Sequence, residues 1–413
     1  MTRYQTAVLE NGLRIIALST TSPVVYCGYQ LNVGTANELP DEEGIAHFCE
    51  HVTFKGTTRR TAIDVIQCLE QVGGDLNAFT TKTDTVYYSA ILKDHLPRAI
   101  DLLTDIVFHS IYPQKEINKE VEVICDEIES YNDSPAELIY DEFENIIFRG
   151  HPLGHSILGT AERVRKFTTE DALRFTQKHY QPMNSVFFAY GDVDFDNLLS
   201  LLEKENHSKV RIKGETEKPI EAPLPALSEY QPQTVKIEKH THQAHVMIDN
   251  RAYSIHDKRR MALYLLNNIL GGPGMSARLN LALRERRGLV YTVESSMVSY
   301  SLTGIWSIYF GCDADDLDEC MRLVRAELDH FIDIPLTDDE LSIAKQQIKG
   351  QIGIACDNRE NLALDFGKGF LHYGWKKDIS ALYRNIDAIT AEEVQAVARE
   401  LFPEERLTKL IYI

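Results

Sequence analysis

Long apolar runs are missing from this 413-residue sequence. No stretch approaches the ~20 residues that a membrane-spanning helix requires. The opening "MTRYQTAVLENGLRI" lacks the apolar core of a signal peptide, so neither membrane insertion nor export is expected. Positive charge is scarce as well. Against 62 acidic residues stand 43 basic ones, a net charge of −19, which argues against a nucleic-acid partner or an anionic membrane surface and favours cationic partners such as basic peptides. The seven cysteines (Cys27, Cys49, Cys68, Cys125, Cys312, Cys320, Cys356) are scattered without a CxxC pair. They offer no disulfide framework and fit reduced thiols of a cytoplasmic protein. Low-complexity tracts are absent too, and 44% apolar with 25% charged residues is the composition of a globular protein.

What is present, first, is duplication. The chain is too long for one ordinary core, and two domains of roughly 200 residues are expected. A proline-rich, aperiodic stretch, "GETEKPIEAPLPALSEYQPQ", marks a linker over 208–232 between domains at 1–207 and 233–413. "FTTEDALRFTQKHYQP" (167–182) is echoed by "ITAEEVQAVARELFP" (389–403), which sets Thr168 against Thr390 and Glu170 against Glu392. "FHSIYP" ending at Pro113 is echoed by "FIDIP" ending at Pro335. Both comparisons give the same offset of 222, the mark of an internal repeat.

Each half mixes alternating strand-like runs ("DTVYYSAIL" and "SVFFAYGDV", then "QAHVMIDNRAY" and "GIWSIYFGCD") with amphipathic helices. "AIDVIQCLEQVGG" and "MALYLLNNILGG" read as corresponding helices that end in glycine pairs. Helices follow grouped strands rather than alternating with them one by one, so the expected class is α+β, with two similar domains.

The chemistry concentrates at "GIAHFCEHVTFKG". On a helix over 41–54, Ile45, Phe48, Cys49 and Val52 form one stripe that must face a core. His47, Glu50 and His51 share an arc of about 100° on the other side. Histidines at i and i+4 can chelate one ion with Glu50 beside them, the HxxEH order that inverts HExxH. A catalytic zinc needs a third protein ligand and an open position for water. In "PQKEINKEVEVICDEIESYND" (113–133), Ile117, Val121, Ile124 and Ile128 form an apolar stripe, and Glu120 and Glu127 lie seven apart on its shoulder. Glu122, Asp126 and Glu129 point away from it. Spacing alone leaves Glu120 and Glu127 both open as the third ligand.

These stretches resemble the pitrilysin and insulinase family of zinc peptidases, nearly end to end. "GIAHFCEHVTFKGT" is similar to the family's metal helix, "VGGDLNAFTTKTDTVYYS" to its substrate-strand segment and "KEVEVICDEIESYNDSP" to its third-ligand helix. "HPLGHSILGT" and "HYQPMNSVFFAYGDVD" extend the likeness through the first half, and "SARLNLALRERRGLVYTV" continues it in the second. The resemblance implies the processing-peptidase-like metallohydrolase fold, with zinc ligands His47, His51 and Glu127 and with Glu120 as an outer support. It implies Glu50 as the general base and Asn77, Ala78 and Phe79 as the strand that pairs with substrate. It further implies that Arg284 and Tyr291 hold the substrate carbonyl.

The activity so implied is zinc-dependent hydrolysis of internal bonds in unfolded peptides, bound by strand addition inside a clamshell chamber. The second half carries "GGPGMSARL" where another HxxEH would fall, so one Zn2+ per chain is expected. Larger family members close four such domains into the shell. Two domains therefore imply a homodimer, with a heterodimer containing a metal-free sister chain as the alternative. His240, His242 and His245, at period two and without a carboxylate partner, read as a strand surface rather than a second metal site. His151 and His155 read as loop residues, and "GGPG" lacks the lysine-serine pair of a phosphate loop.

Overall fold

A computed structural model describes residues 4–214, 224–239 and 241–413. The fold is α+β, built on two mixed sheets. Among the described residues the first sheet runs Asp75–Thr80, Thr85–Leu92, Val24–Leu31, Ser185–Gly191, Arg14–Ser19, Gln5–Leu9, Val210–Lys213 in spatial order. Neighbours are antiparallel except Arg14–Ser19 with Ser185–Gly191. The second sheet runs Val290–Ser299, Gly304–Cys312, Ala244–Ala252, Thr408–Tyr412, Thr234–Ile237, again with one parallel pair, between its last two strands. It repeats the first five strands of the first sheet in order and direction.

The offset of 222 thus has a structural counterpart. Helices Thr169–His179 and Ala391–Leu401 occupy matching places, and each opens on a capping box, Thr168 with Asp171 and Thr390 with Glu393. Each threonine and acid reciprocally satisfies backbone N–H groups that a helix start leaves unpaired.

One pairing of elements differs from the sequence reading. By order along the chain, helix Arg260–Gly271 corresponds to Ile45–Thr53, and Ala62–Glu70 corresponds to the π-helical turn Asn280–Glu285. The shared glycine pairs misled because they do different work. Gly73 supplies a positive φ after Ala62–Glu70. Gly271 lies so close to the strand Val290–Ser299 that a Cβ would stand 2.6 Å from Ser295 N.

Two compact units form. One comprises Met1–Ser130, His155–Pro225 and Ala355–Asp378; the other comprises Tyr131–Gly154, Ala226–Ile354 and Ile379–Ile413. This departs from two consecutive blocks at 1–207 and 233–413, because each half lends the other a helical segment. In the first unit Phe187 and Ala189 face a core shared with Ile45, Phe48 and Ile124. Val186, Phe188 and Tyr190 face the opposite way, onto Ala363, Phe366, Phe370 and Leu371 of helix Arg359–Tyr373. "SVFFAYG" is an unbroken uncharged run, apolar after Ser185, because both faces of that strand are buried. Arg14 fixes the borrowed helix by donating to Phe370 O (3.0 Å) and Leu371 O (2.9 Å). In the second unit helix Pro135–Ile147 covers the sheet in the same manner. Arg251 donates to Ile147 O (3.1 and 2.6 Å), and Tyr412 Oη donates to Glu142 Oε2 (2.6 Å). An apolar stripe dictates burial without naming the sheet that provides it.

No helix among the described residues is long and apolar enough to cross a membrane.

Candidate metal centre

Helix Ile45–Thr53 starts at Gly44, whose φ of 91° suits glycine. A Cβ there would come within 2.9 Å of Gly159 Cα and Leu158 O. No N-cap side chain serves the helix. Instead Glu38, buried, accepts from Gly44 N (3.0 Å) and Ala46 N (2.9 Å), satisfying N–H groups at the positive end of the helix. Burial pushes the Glu38 carboxyl up, and the two N–H donors oppose the shift. His155 stands on the far side, with Nδ1 4.0 Å from Glu38 Oε2 and Nε2 3.8 Å from Glu43 Oε1. Sequence reading missed Glu38, because it lies six and eight residues from its donors and matches no capping-box spacing.

Ile45, Phe48, Cys49 and Val52 are buried as the stripe requires. The opposite face is not wet, however. His47 and Glu50 are only 7% and 9% exposed, and the His51 side chain 22%. Helix Gln114–Asn132, held to the core by Ile117, Val121, Ile124 and Ile128, meets His47 and His51 through Glu127 and Glu120, while strand Asp75–Thr80 meets Glu50 through Thr80. The shoulder carboxylates of the helix divide. Glu120 is buried, whereas the Glu127 side chain is 44% exposed; Glu122, Asp126 and Glu129 face solvent.

Glu127 Oε1 lies 3.7 Å from His47 Nε2, and its Oε2 lies 3.2 Å from His51 Nε2. One donor atom from each of the three residues falls within 4.8 Å of the others, the one such group of three among the described residues. Tetrahedral zinc, with bonds of ~2.0–2.2 Å to imidazole and carboxylate, needs ligand atoms ~3.3–3.5 Å apart. Two imidazole nitrogens and a carboxylate at these separations fit that ion. Glu120 Oε1 is 3.1 Å from His51 Nδ1, and its Oε2 is 2.6 Å from Lys55 Nζ. Engaged at Nδ1, the His51 ring is left with Nε2 to face Glu127 and His47.

Charge is unevenly shared between the rings. Burial holds His47 down at about 4, with His51 adding to the effect. Burial also works against protonation of His51, but the hydrogen bonds that its ring N–H groups donate to Glu120 and Glu127 overcome it and raise that ring to about 9. Burial lifts the Glu50 carboxyl, partly offset by Thr80 and His51. Thr80 Oγ1 donates to Glu50 Oε2 at 2.6 Å, a contact with no sequence signal, since thirty residues separate the pair.

Strand Asp75–Thr80 is an edge. It pairs with Thr85–Leu92 on one side (Asn77 with Tyr88, Ala78 with Tyr87, Phe79 with Val86) and with no described strand on the other. Arg284 and Tyr291 belong to the second unit. They are together, the Arg284 guanidinium 5.8 Å from the Tyr291 ring centre, and Tyr291 is 82% exposed at the start of that unit's own edge strand. His245 Nδ1 meets Tyr309 Oη at 2.9 Å, while His240 lies outside the described residues.

Residues 14–161 match the family model of insulinase, peptidase family M16, and residues 166–348 match that of the peptidase M16 inactive domain. An uncharacterized zinc protease of Streptomyces coelicolor is 33% identical over 403 residues, covering 95% of this chain and 86% of that protein. The uncharacterized zinc protease YmxG of Bacillus subtilis is 32% identical over 406 residues, 97% and 96% of the two chains. Among solved structures, a protease from Helicobacter pylori superposes with a TM-score of 0.91 at 21% identity, covering 100% of both chains. A peptidase M16 inactive domain from Pseudomonas fluorescens gives 0.88 at 19%, covering 99% and 97%. The chain therefore belongs to the insulinase family of peptidases, family M16, and is a metalloprotease.

Proposed function

We propose that the chain is a zinc-dependent endopeptidase acting on unfolded peptides, with His47, His51 and Glu127 as the ligands of one zinc ion per chain. The observation that carries this is the convergence of those three side chains within 4.8 Å beside a buried Glu50. When bound, zinc supplies the Lewis acidity that brings the pKa of a water toward ~7. Glu50 accepts the proton of the attacking water at its carboxylate and returns it to the leaving amine nitrogen. Glu120 holds the His51 ring through Nδ1. The open edge of Asp75–Thr80, at Asn77, Ala78 and Phe79, takes the substrate as an added strand, so backbone pairing gives affinity with little dependence on sequence.

The repeat supports one ion per chain. The counterpart of the metal helix in the second half, Arg260–Gly271 with the sequence RMALYLLNNILG, carries no histidine, cysteine or carboxylate to offer a metal. Arg284 and Tyr291, exposed and adjacent, suit the stabilisation of a developing oxyanion. In a homodimer, which would close the clamshell chamber, they would serve the zinc site of the partner chain; a heterodimer with a metal-free relative is the alternative assembly. The net charge of −19 favours basic peptides, and seven free cysteines suit a reducing cytoplasm.

The test pairs zinc analysis with a quenched peptide library. Glu50→Gln is expected to keep its zinc and lose most turnover, whereas His51→Ala loses the metal. Full-speed cleavage by the glutamine variant would remove Glu50 from the mechanism. Sedimentation of the active sample decides the assembly, since a fully active monomer excludes both dimers.

A further inference from the structure

Glu50 is held from outside its own helix. Its Oε2 accepts from Thr80 Oγ1 at 2.6 Å, and Thr80 is the last residue of the edge strand Asp75–Thr80. The strand end is itself fixed. Thr80 pairs with Thr85 across the sheet, and in the turn between them Thr81 N donates to Asp84 O at 2.8 Å. Thr81 Oγ1 and Thr83 Oγ1 both donate to Asp84 Oδ1 at 2.9 Å. Asp84, 1% exposed, is gripped in turn by helix Arg359–Tyr373, with Lys368 Nζ at 3.0 Å and His372 Nε2 at 3.3 Å from its Oδ1. The hydroxyl that meets Glu50 therefore stands on a braced hairpin.

We propose that Thr80 is a positioning residue for Glu50. A glutamate side chain turns about three bonds, and a nearly buried carboxylate without a donor would settle wherever it found one. The Thr80 hydroxyl commits Oε2 and sets the plane of the carboxylate. Oε1 is thereby left to accept the water proton in a fixed direction. Because Thr80 lies in the strand to which substrate would add, the same element that registers the peptide also aims the base. This rests on the endopeptidase reading above for its catalytic consequence; the contact itself does not depend on that reading.

The test compares Thr80→Val, which keeps the shape and removes the hydroxyl, with Thr80→Ser, which restores it. Thr80→Val is expected to lower kcat about 10- to 100-fold, with KM unchanged within about twofold, as for a misaimed group acting only in the transition state. Zinc content stays complete, and Thr80→Ser recovers most of the loss. A second measurement needs neither metal nor substrate. In the metal-free protein Thr80→Val lowers Tm when Glu50 is present and not when Glu50→Met has removed the acceptor.

A Thr80→Val enzyme with kcat within about twofold of the parent overturns the proposal, as does a serine variant no better than the valine. An equal loss of Tm in both backgrounds overturns the contact. If the zinc-loaded parent cleaves no peptide while the Tm losses still depend on Glu50, the endopeptidase reading fails and the contact stands.

Discussion

Glu120 and Glu127 grip His51 from its two sides, with Glu120 Oε1 3.1 Å from Nδ1 and Glu127 Oε2 3.2 Å from Nε2. Seven residues, about 10 Å along one helix, separate the two carboxylates. The imidazole bridges that span, and the bond on Nδ1 decides which nitrogen is left for a metal.

Glu120→Gln is therefore expected to weaken zinc binding about 10- to 100-fold, because an amide holds the ring and its tautomer less firmly than a carboxylate. Competition with a chelator of known affinity measures the change. An unaltered zinc affinity would deny Glu120 any part in orienting the ligand.

Tyr291→Phe separates chemistry from folding. With the residue 82% exposed, loss of the hydroxyl should alter stability by no more than about 0.5 kcal/mol. Turnover is expected to fall about 10²- to 10³-fold if the hydroxyl meets the developing oxyanion. The two are read from thermal melting and from kcat on one peptide; unchanged kcat removes Tyr291 from the mechanism.

Asp84 gives the hairpin a pH dependence. Burial alone would raise its carboxyl, but His372 and Lys368 hold it well below the usual carboxylate range. A depressed folded pKa stabilises the protein above the unfolded value of about 3.9 and ceases to do so as pH falls through the folded one. Asp84→Asn should cost about 1–3 kcal/mol at pH 7. Parent and variant should converge in denaturant midpoint as the pH drops below about 4; a constant gap down to pH 2 would exclude this origin.

Asp249 behaves in the opposite sense. It is wholly buried in the central strand Ala244–Ala252, and among the described residues no side chain donates a hydrogen bond to its carboxylate, which has only the neighbouring Asn250 backbone N–H to offset its burial. Burial, with Glu144 nearby, pushes its carboxyl well above the ordinary value. Here stability is greatest below the unfolded pKa of about 3.9 and is lost as pH rises toward the folded one. Asp249→Asn is expected to raise the melting temperature at pH 8 and to change it little near about pH 3, where the carboxyl is almost wholly neutral in both states. A variant less stable than the parent at pH 8 would show that the charged form is served by its surroundings.

Much of this protein follows from its local sequence. Spacing places His47 and His51 on one face and Ile45, Phe48, Cys49 and Val52 on the other, because helix geometry is fixed by the backbone. The repeat at 222 and its paired threonine caps are likewise local, written within four residues at each helix start. So are the strands around "SVFFAYG" and "GIWSIYFGC", whose apolar runs have one outlet, burial on both faces.

Tertiary structure alone decided the rest. It put Glu127 on the Nε2 side of His51 and Glu120 on the Nδ1 side, where two shoulder positions seven apart are equivalent by spacing. It also brought Glu38 to the helix start and Thr80 to Glu50, and it gave helix Arg359–Tyr373 to the first sheet and Pro135–Ile147 to the second. The reason is the same in each case. Periodicity records that a face or a polar group must be covered, while the identity of the cover is set by chain segments tens to hundreds of residues away, through contacts that leave no mark on spacing.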